Sequence, residues 1–297
     1  MKKILLSLFI CCFCQISSSL AAKTDMWITD TTVAKLEQTF QKYGYDNYLF
    51  IKGGIVPRIF LKKFPKDYTQ IKDNNQRNRL FIRILTPLAL LVNEEITKER
   101  NEVLALNKEF KKNQELTPAQ EKRLEELALK YDAFTRLKGY RRHQLQIQML
   151  RAKVAPLPVS FLIAVSAIET NWGDSRIVKE GNSLYKELSW YTNEGLKPQG
   201  ETEDDSYRIR VFPDILSSMR SYALRFNSDV NFEHARYLRM LKIASGGDFS
   251  GQEMAHSMLY QTPLQNYIGL LKYTITFYRL MYLDVTKLDN SYPKMTK

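Results

Sequence analysis

The sequence has little cysteine, and the position of what it has excludes several protein classes. The chain has 297 residues, and its cysteines lie together at Cys11, Cys12 and Cys14. This stretch has the basic start, the apolar run from Ile4 to Cys14 and the small residues up to Ala22 that are typical of a secretory signal peptide. Removal of residues 1–22 would leave a mature protein without cysteine. That excludes a disulfide scaffold, a cysteine-based zinc module and a thiol nucleophile.

The sequence also lacks the common metal-site and nucleotide-binding motifs. Its three histidines, at His143, His234 and His256, do not form a His-Glu-x-x-His pair. No Gly-x-Ser-x-Gly elbow and no Gly-x-x-x-x-Gly-Lys phosphate loop is present. We therefore expect no metal and no cofactor, and if the protein is an enzyme, its reactive groups are predicted to be carboxylates.

Long apolar segments are missing as well, while positive charge is in excess. No run reaches the ~20 apolar residues that span a bilayer. The formal net charge is +12, with 44 Lys and Arg against 32 Asp and Glu. An exported basic protein, periplasmic or secreted, suits an anionic partner such as a cell-wall polymer or a lipid surface. Nucleic acid is not expected, because the basic residues are scattered among acidic ones. The charge by itself is equally explained by solubility.

The hydrophobic pattern predicts a mainly helical protein. We expect a helical region at 23–140, a second unit at 141–288 and a flexible tail at 289–297, after the signal peptide. In the first region, apolar spacing predicts a helical hairpin, in which Pro87 is expected to kink or start a helix. Thr117 and Gln120 predict a capping box at the start of its second helix. The highly charged surface of the hairpin is interpreted as a solvated face.

In the second unit, we expect helices around a small β lobe. Pro158 is expected to open a very apolar helix, which Asn171, Trp172 and Gly173 end with the glycine as the left-handed cap. The alternation of residues from Tyr207 to Phe212 predicts a strand. Further helices are expected after Asp214, after a capping box at Ser250 and from Tyr267 to Tyr282.

The most informative residue is Glu169, which lies at helical spacing from Leu162 and Val165 on the apolar helix. A buried carboxyl group is costly unless it is paired, hydrogen-bonded or protonated. A protonated glutamate that faces a cleft is what a general acid requires. The alternative is a glutamate at a helix end that is exposed to water or paired with a nearby cation such as Arg176.

The surrounding residues carry a more specific signal. Residues 167–176 read Ala-Ile-Glu-Thr-Asn-Trp-Gly-Asp-Ser-Arg, and residues 180–185 read Glu-Gly-Asn-Ser-Leu-Tyr. This pair of blocks resembles the signature of the peptidoglycan-cleaving glucosaminidases of the flagellar-hydrolase type, glycoside hydrolase family 73. Within that group, the chain looks most like the Bax-like proteins. The resemblance extends from Gly53–Arg58 to Leu259–Tyr260 and covers most of the mature chain.

The resemblance implies a lysozyme-like fold, with a helical lobe facing a small β lobe, and cleavage of the N-acetylglucosaminyl-β-1,4-N-acetylmuramic acid bond in peptidoglycan glycan strands. It implies that Glu169 is the general acid and that Tyr260 lies near the active site, although Tyr260 is equally explained as a core residue. The β lobe often supplies a second acid. The candidates are Glu201, Glu203, Asp204 and Asp205, with a slight preference for Glu203. Alternatively, the acetamido group of the substrate attacks and no second carboxylate is needed.

The remaining candidates are residues that would bind substrate or support the site. Trp172 forms either groove wall or core, with core preferred. Asn182 is expected to cap the short helix from Ser175 and to fix the adjacent loop. Tyr185 stands at the aromatic position of the family motif. Trp190 and Tyr191 are the candidates for stacking on sugar rings.

The sequence departs from the family pattern at Thr170, at Lys186 and at Arg208. Lys186 stands where the family has glycine, and Arg208 stands where an acid is frequent. These departures keep two alternatives open. One is a lytic transglycosylase, which also uses a helix-borne glutamate, and the other is a catalytically silent cell-wall binding or scaffold protein. The oligomeric state is left open.

Overall fold

The computed structural model describes residues 25–50, 54–190, 194–198, 207–258 and 265–290, and over these residues the protein is mainly helical. The predicted signal peptide and most of the predicted tail lie outside them. None of the helices in these ranges combines the length and apolarity of a bilayer span. The helices are α1 (Val33–Lys42), α2 (Asn74–Asn113), α3 (Pro118–Lys130), α4 (Gly139–Lys153), α5 (Val159–Thr170), α6 (Arg176–Gly181), α7 (Ile215–Ser228), α8 (Glu233–Ala244), α9 (Gly251–Ser257) and α10 (Gln265–Phe277).

The β structure of the described residues is limited to short paired strands. The strands are β1 (Met26–Ile28), β2 (Ile55–Val56), β3 (Ile59–Leu61), β4 (Leu188–Ser189), β5 (Arg208–Ile209) and β6 (Lys287–Leu288). Strands β1 and β3 pair in parallel, as do β2 and β6, while β4 and β5 pair antiparallel. Because β2 pairs with β6, the N-terminal part of the chain is fixed to its C-terminal end.

The strand predicted from Tyr207 to Phe212 is shorter than expected. Only Arg208 and Ile209 form β5, opposite β4, and Leu196 adds an isolated bridge to Ile209. The amide of Phe212 donates instead to the carbonyl of Gly181, at the end of α6. The segment after β5 therefore leaves the small sheet and bonds to the end of α6. The alternation of residues from Tyr207 to Phe212 does not indicate where the strand ends.

Helix α2 lies at the centre of the fold and runs through Pro87 without interruption. Pro87 was predicted to kink or start a helix, and the prediction of a helix start is wrong. A proline inside a helix costs about 3 kcal/mol. The turns around it bury Ile84, Leu85 and Leu88 completely. Each such side chain stabilises by about 1.5–3 kcal/mol, so packing outweighs the lost backbone hydrogen bond.

The helical hairpin is confirmed as α2 and α3. Gln114 ends α2 in the left-handed conformation, with φ of 61°. The Thr117 hydroxyl and the Gln120 side chain form the expected capping box. Arg123 contacts Glu102 across the two helices. Helix α3 also packs on α4, and α2 packs directly on α5 and α7. The proposed boundary near residue 140 stays a prediction.

Helix α5 is surrounded by other elements on all sides. Every residue from Val159 to Ala167 is buried, among α2, α9, α10 and the 3-10 helix Leu280–Val285. At its N-terminus, the amide and hydroxyl of Ser160 both donate to the Asp284 carboxylate at 2.8 Å. Asp284 also accepts from the amide of Gly251 at the start of α9. One carboxylate thus joins the ends of two helices.

Candidate active site

Glu169 lies in the last turn of α5, where the helix first becomes partly exposed. Its Oε1 atom accepts a hydrogen bond from the hydroxyl of Tyr267 in α10, at 2.8 Å. The alternative pairing with Arg176 is wrong, because Arg176 donates to Glu180 and to the carbonyl of Lys197. Glu169 is therefore a half-buried carboxylate that accepts a hydrogen bond from Tyr267 and forms no ion pair with Arg176.

Two tyrosines, the buried Tyr222 and the partly buried Tyr267, define the electrostatic surroundings of Glu169. Burial raises the pKa of Tyr267 above its usual value, and the neighbouring Glu169 carboxylate adds to this effect. Burial likewise raises the pKa of Tyr222 in α7, again with a contribution from the charge of Glu169. The raised pKa values favour the neutral form of both phenols, and in this form the Tyr267 hydroxyl donates to Glu169.

The turn after Glu169 has an unusual backbone. Asn171, Trp172 and Gly173 all have positive φ angles, of 47°, 57° and 80°. The left-handed cap of α5 is Asn171 and not Gly173, which corrects the prediction. Asparagine tolerates this conformation because its short polar side chain bonds locally. A Cβ atom at Gly173 would lie 3.1 Å from the rings of Phe64, Phe81 and Tyr68, so close approach also requires a glycine there.

Trp172 packs inward next to this turn. Its ring lies 4.4 Å from that of Tyr278 and 5.7 Å from that of Phe81, between centroids. The hydroxyl of Tyr68 donates to its carbonyl oxygen at 2.9 Å. The structure thus places Trp172 in an aromatic cluster that supports the end of α5. These contacts favour the core role over the groove-wall role.

Asn182 ends α6 in the left-handed conformation, with φ of 49°. Its side-chain amide donates to the carbonyl of Phe212 at 2.8 Å. The predicted cap of the short helix after Ser175 is confirmed. Asn182 also fixes the segment that follows β5 to the end of α6, so its role in the described structure is to hold the loop next to the site.

Tyr185 is buried and stacks on Tyr222, with ring centroids 4.1 Å apart and planes 6° apart. Its ring face is therefore occupied by another protein ring and is not open to a sugar. The proposed contact of Tyr185 with substrate is not favoured by this packing. Tyr222, the other ring of this pair, is near enough to Glu169 for the charge of the carboxylate to contribute to its raised pKa.

Trp190 is the candidate sugar-stacking residue that the structure leaves accessible. It is 54% exposed, follows β4 and lies against Tyr207, with ring centroids 5.0 Å apart. The other proposed residues of this region, Tyr191 and the acids at 201, 203, 204 and 205, lie outside the described residues, as does Tyr260. The choice of Glu203 as second acid and the role of Tyr260 stay predictions.

The sequence analysis missed Tyr267, Tyr222 and Glu187. The first two contact or approach Glu169 from helices far along the chain, and no local pattern signals such contacts. Glu187 follows the αL residue Lys186, is 2% exposed and accepts from the hydroxyl of Ser221 at 3.1 Å. Burial raises its pKa, against the opposing effect of Arg210. Glu187 lies between Lys186 and Leu188, outside any helical apolar stripe, so no apolar spacing could have indicated its burial.

Across the described residues, no group of three or more His, Cys, Asp or Glu side chains lies close enough to hold a metal ion. The site consists of a carboxylate, phenols and aromatic rings. Such groups can transfer a proton and bind a polar, ring-shaped ligand.

The sequence aligns with a bacterial protein over most of its length. The chain is similar to protein Bax from Escherichia coli (strain K12). The two sequences are 23% identical over 216 residues, which is 71% of this chain and 70% of the Bax sequence. No family model matches the chain. No solved structure matches it. The comparison supports the Bax-like resemblance of the motifs, and the assignment to the glucosaminidases stays a prediction.

Proposed function

We propose that this protein is an exported peptidoglycan hydrolase that cleaves the β-1,4 bond between N-acetylglucosamine and N-acetylmuramic acid, with Glu169 as the general acid. The single observation that carries the proposal is the half-buried Glu169 carboxylate held by the Tyr267 hydroxyl at 2.8 Å. It lies at the exposed end of a buried helix, on the motif that resembles the glucosaminidase signature. The basic charge of the chain suits an anionic wall polymer.

The proposal includes a lysozyme-like arrangement of two lobes around the site. In it, α5 and its neighbours form the helical lobe, and the β4–β5 pair with Trp190 forms the small β lobe. The exposed indole of Trp190 offers an apolar face with a polar edge, which suits a sugar ring. Such a groove would align a glycan strand across the end of α5.

In the proposed reaction, Glu169 donates its proton to the glycosidic oxygen as the bond to the anomeric carbon breaks. Tyr267 is bonded to Oε1, so Oε2 is the oxygen that we assign to the transferred proton. Attack at the anomeric carbon comes either from a water activated by a second acid, for which Glu203 is the candidate, or from the substrate acetamido group. Glu187 is not assigned this role, because it is buried and bonded to Ser221.

Substitution of Glu169 by glutamine tests the proposal. Glutamine keeps the shape of the side chain and removes the transferable proton. General acid catalysis contributes about 10²–10⁴-fold, so Glu169→Gln is expected to lower the rate of bond cleavage by that factor. The assay incubates each protein with purified peptidoglycan and identifies the new sugar ends by mass spectrometry. Glu115→Gln, an exposed position between α2 and α3, is the matched control.

The products distinguish the alternatives. New N-acetylglucosamine reducing ends that are lost in Glu169→Gln but kept in Glu115→Gln support the proposal. Anhydro-muramic ends would instead assign a lytic transglycosylase. Binding to peptidoglycan without cleavage by the parent protein would overturn the enzymatic proposal and leave a cell-wall binding protein. Equal thermal unfolding of all variants would show that the comparison concerns chemistry and not folding.

Tyr267→Phe tests the positioning of the carboxylate. A hydrogen bond to a charged group contributes about 1.5–3 kcal/mol, which corresponds to roughly 10–100-fold in rate if it is needed at the transition state. We expect kcat to fall by that factor with little change in KM, because the phenol touches the acid and not the glycan. Tyr140→Phe, at an exposed position in α4, is the control. A raised KM with unchanged kcat would contradict this role.

A further inference from the structure

An apolar surface lies at the C-terminal end of the fold. Helix α10 buries Ile268, Leu271 and Ile275 on one face. Its opposite face carries Leu270, Tyr273 and Phe277, which are 46%, 58% and 59% exposed. The exposed residues are spaced by three and four, so they form a continuous stripe. The 3-10 helix after α10 adds exposed Tyr282 and Val285. We refer to these exposed residues as the C-terminal apolar surface.

A groove lies on another side of α10, toward α8. A cavity of about 700 Å³ lies between α8, α9 and α10, and its lining includes Leu241, Phe249 and Lys272. Leu241 is 46% exposed, like the residues of the α10 stripe. Contiguous exposed apolar side chains often mark an interaction site. Helix α10 therefore borders two apolar features, the groove and the exposed stripe.

The charges around the C-terminal apolar surface are mainly positive. Lys272, Arg279 and Lys287 are exposed within the same segment of the chain. The carboxylate of Asp284, which follows Tyr282, is directed inward, where it accepts from Ser160 and Gly251. It therefore does not neutralise the exposed cations, and Glu253, the acid that lines the groove, is paired with Lys242. Apolar and aromatic side chains flanked by Lys and Arg are the composition of an interfacial membrane-binding surface.

We infer that this surface binds an anionic lipid bilayer, with the apolar side chains at the headgroup level and the cations near the lipid phosphates. The charge distribution favours this occupant over a second copy of the chain. A two-fold dimer would bring the same patch of both copies, with its cations, into one interface. An anionic bilayer is complementary to both the apolar and the cationic components. The inference is independent of the proposed glycan cleavage.

Vesicle cosedimentation tests the inference. The full chain is expressed and purified in the form that accumulates, and its N-terminus is defined by mass spectrometry. We expect binding to vesicles of phosphatidylglycerol and phosphatidylethanolamine, weaker binding at high salt and little binding to phosphatidylcholine. Tyr273→Ser/Phe277→Ser is expected to weaken binding at least about tenfold, through the loss of buried apolar area. Lys272→Glu/Arg279→Glu is expected to weaken it by at least a similar factor.

The matched control is Leu129→Ser/Phe134→Ser. These residues, near the end of α3, are 70% and 57% exposed, as accessible as the α10 pair, and should not affect binding. Any N-terminal apolar run that remains attached is common to all variants and does not affect their comparison. Unchanged vesicle binding by Tyr273→Ser/Phe277→Ser would overturn the inference. So would self-association of the parent protein that this variant abolishes, in the absence of lipid binding, because it would assign the surface to a second copy.

Discussion

The close contact between α5 and α9 gives the sharpest prediction about stability. A Cβ atom built at Gly251, the first residue of α9, would lie 1.9 Å from Oγ of Ser160 and 3.2 Å from the amide nitrogen of Phe161. Helix propensity alone predicts that Gly251→Ala stabilises the protein, by up to about 1 kcal/mol. The close packing predicts that Gly251→Ala destabilises the protein. The sign of the measured change in stability therefore distinguishes the two arguments.

The size of the expected destabilisation follows from the hydrogen bonds that the ends of α5 and α9 make to one carboxylate. Overpacking costs about 1–3 kcal/mol when the surroundings cannot relax. Here the two helix ends cannot separate freely, because Asp284 accepts from Ser160 in α5 and from Gly251 in α9. Each weakened hydrogen bond adds about 0.5–1.5 kcal/mol. We therefore expect Gly251→Ala to lower the free energy of unfolding by about 2–4 kcal/mol.

Urea denaturation followed by circular dichroism measures this effect, and a second substitution tests its cause. Ser160→Ala removes the oxygen that would lie 1.9 Å from the new methyl group. The double variant should therefore be more stable than the sum of the single effects predicts, with a coupling of about 1–2 kcal/mol. Gly269→Ala in α10 is the control, since nothing lies within 4 Å of its Cβ position, and it should be stabilising. A neutral Gly251→Ala, or additive effects in the double variant, would refute the reasoning.

Three further substitutions have defined outcomes. Lys186 is exposed and has φ of 47°, a conformation that glycine adopts without strain. Lys186→Gly should therefore raise the free energy of unfolding by about 0.5–1 kcal/mol and increase the urea midpoint. A lower midpoint would contradict this. Burial raises the pKa of Glu187, so the folded protein binds this proton more tightly than the unfolded chain does. The free energy of unfolding therefore falls as the pH rises from the ordinary glutamate range through the pKa of Glu187 in the folded protein. Glu187→Gln should reduce that decline in midpoints measured from pH 4 to pH 8, and an unchanged slope would count against it. Gly173→Ala, at φ of 80° among three rings, should destabilise by at least about 2 kcal/mol in the same assay, and a loss below 0.5 kcal/mol would argue against the packing described.

Local features of the fold were predictable from the sequence because their causes are local. The capping boxes at Thr117 and Ser250 both form, since each consists of side chains that bond to backbone groups within the same turn. The helix that carries Glu169 was predicted from apolar residues within one segment, and its burial agrees with that pattern. Asn182 was recognised as a cap for the same reason.

Features that depend on distant residues could not be predicted in this way. The bond from Tyr267 to Glu169 spans 98 positions, and that from Ser160 to Asp284 spans 124. No period or motif at one end specifies the partner at the other. Pro87 illustrates the converse, because its local preference to end a helix is real and is outweighed by burial that only the tertiary structure supplies. The sequence thus indicated Glu169 as the candidate acid, but it did not indicate that Tyr267 and Tyr222 surround it.

Backbone strain on both sides of the candidate site connects its structure to the proposed chemistry. Positive φ angles occur at Trp172 after Glu169 and at Lys186 in the loop that leads to β4, and neither residue is a glycine. Each such conformation costs about 1–2 kcal/mol and persists only where the surroundings impose it. At Trp172, the ring contacts with Phe81 and Tyr278 impose it. The same turn also satisfies the end of α5, because the amide of Trp172 donates to the carbonyl of Ala167 at 2.8 Å. The strained turn therefore ends α5 one residue after Glu169, and under the proposed function it would also hold the general acid in place.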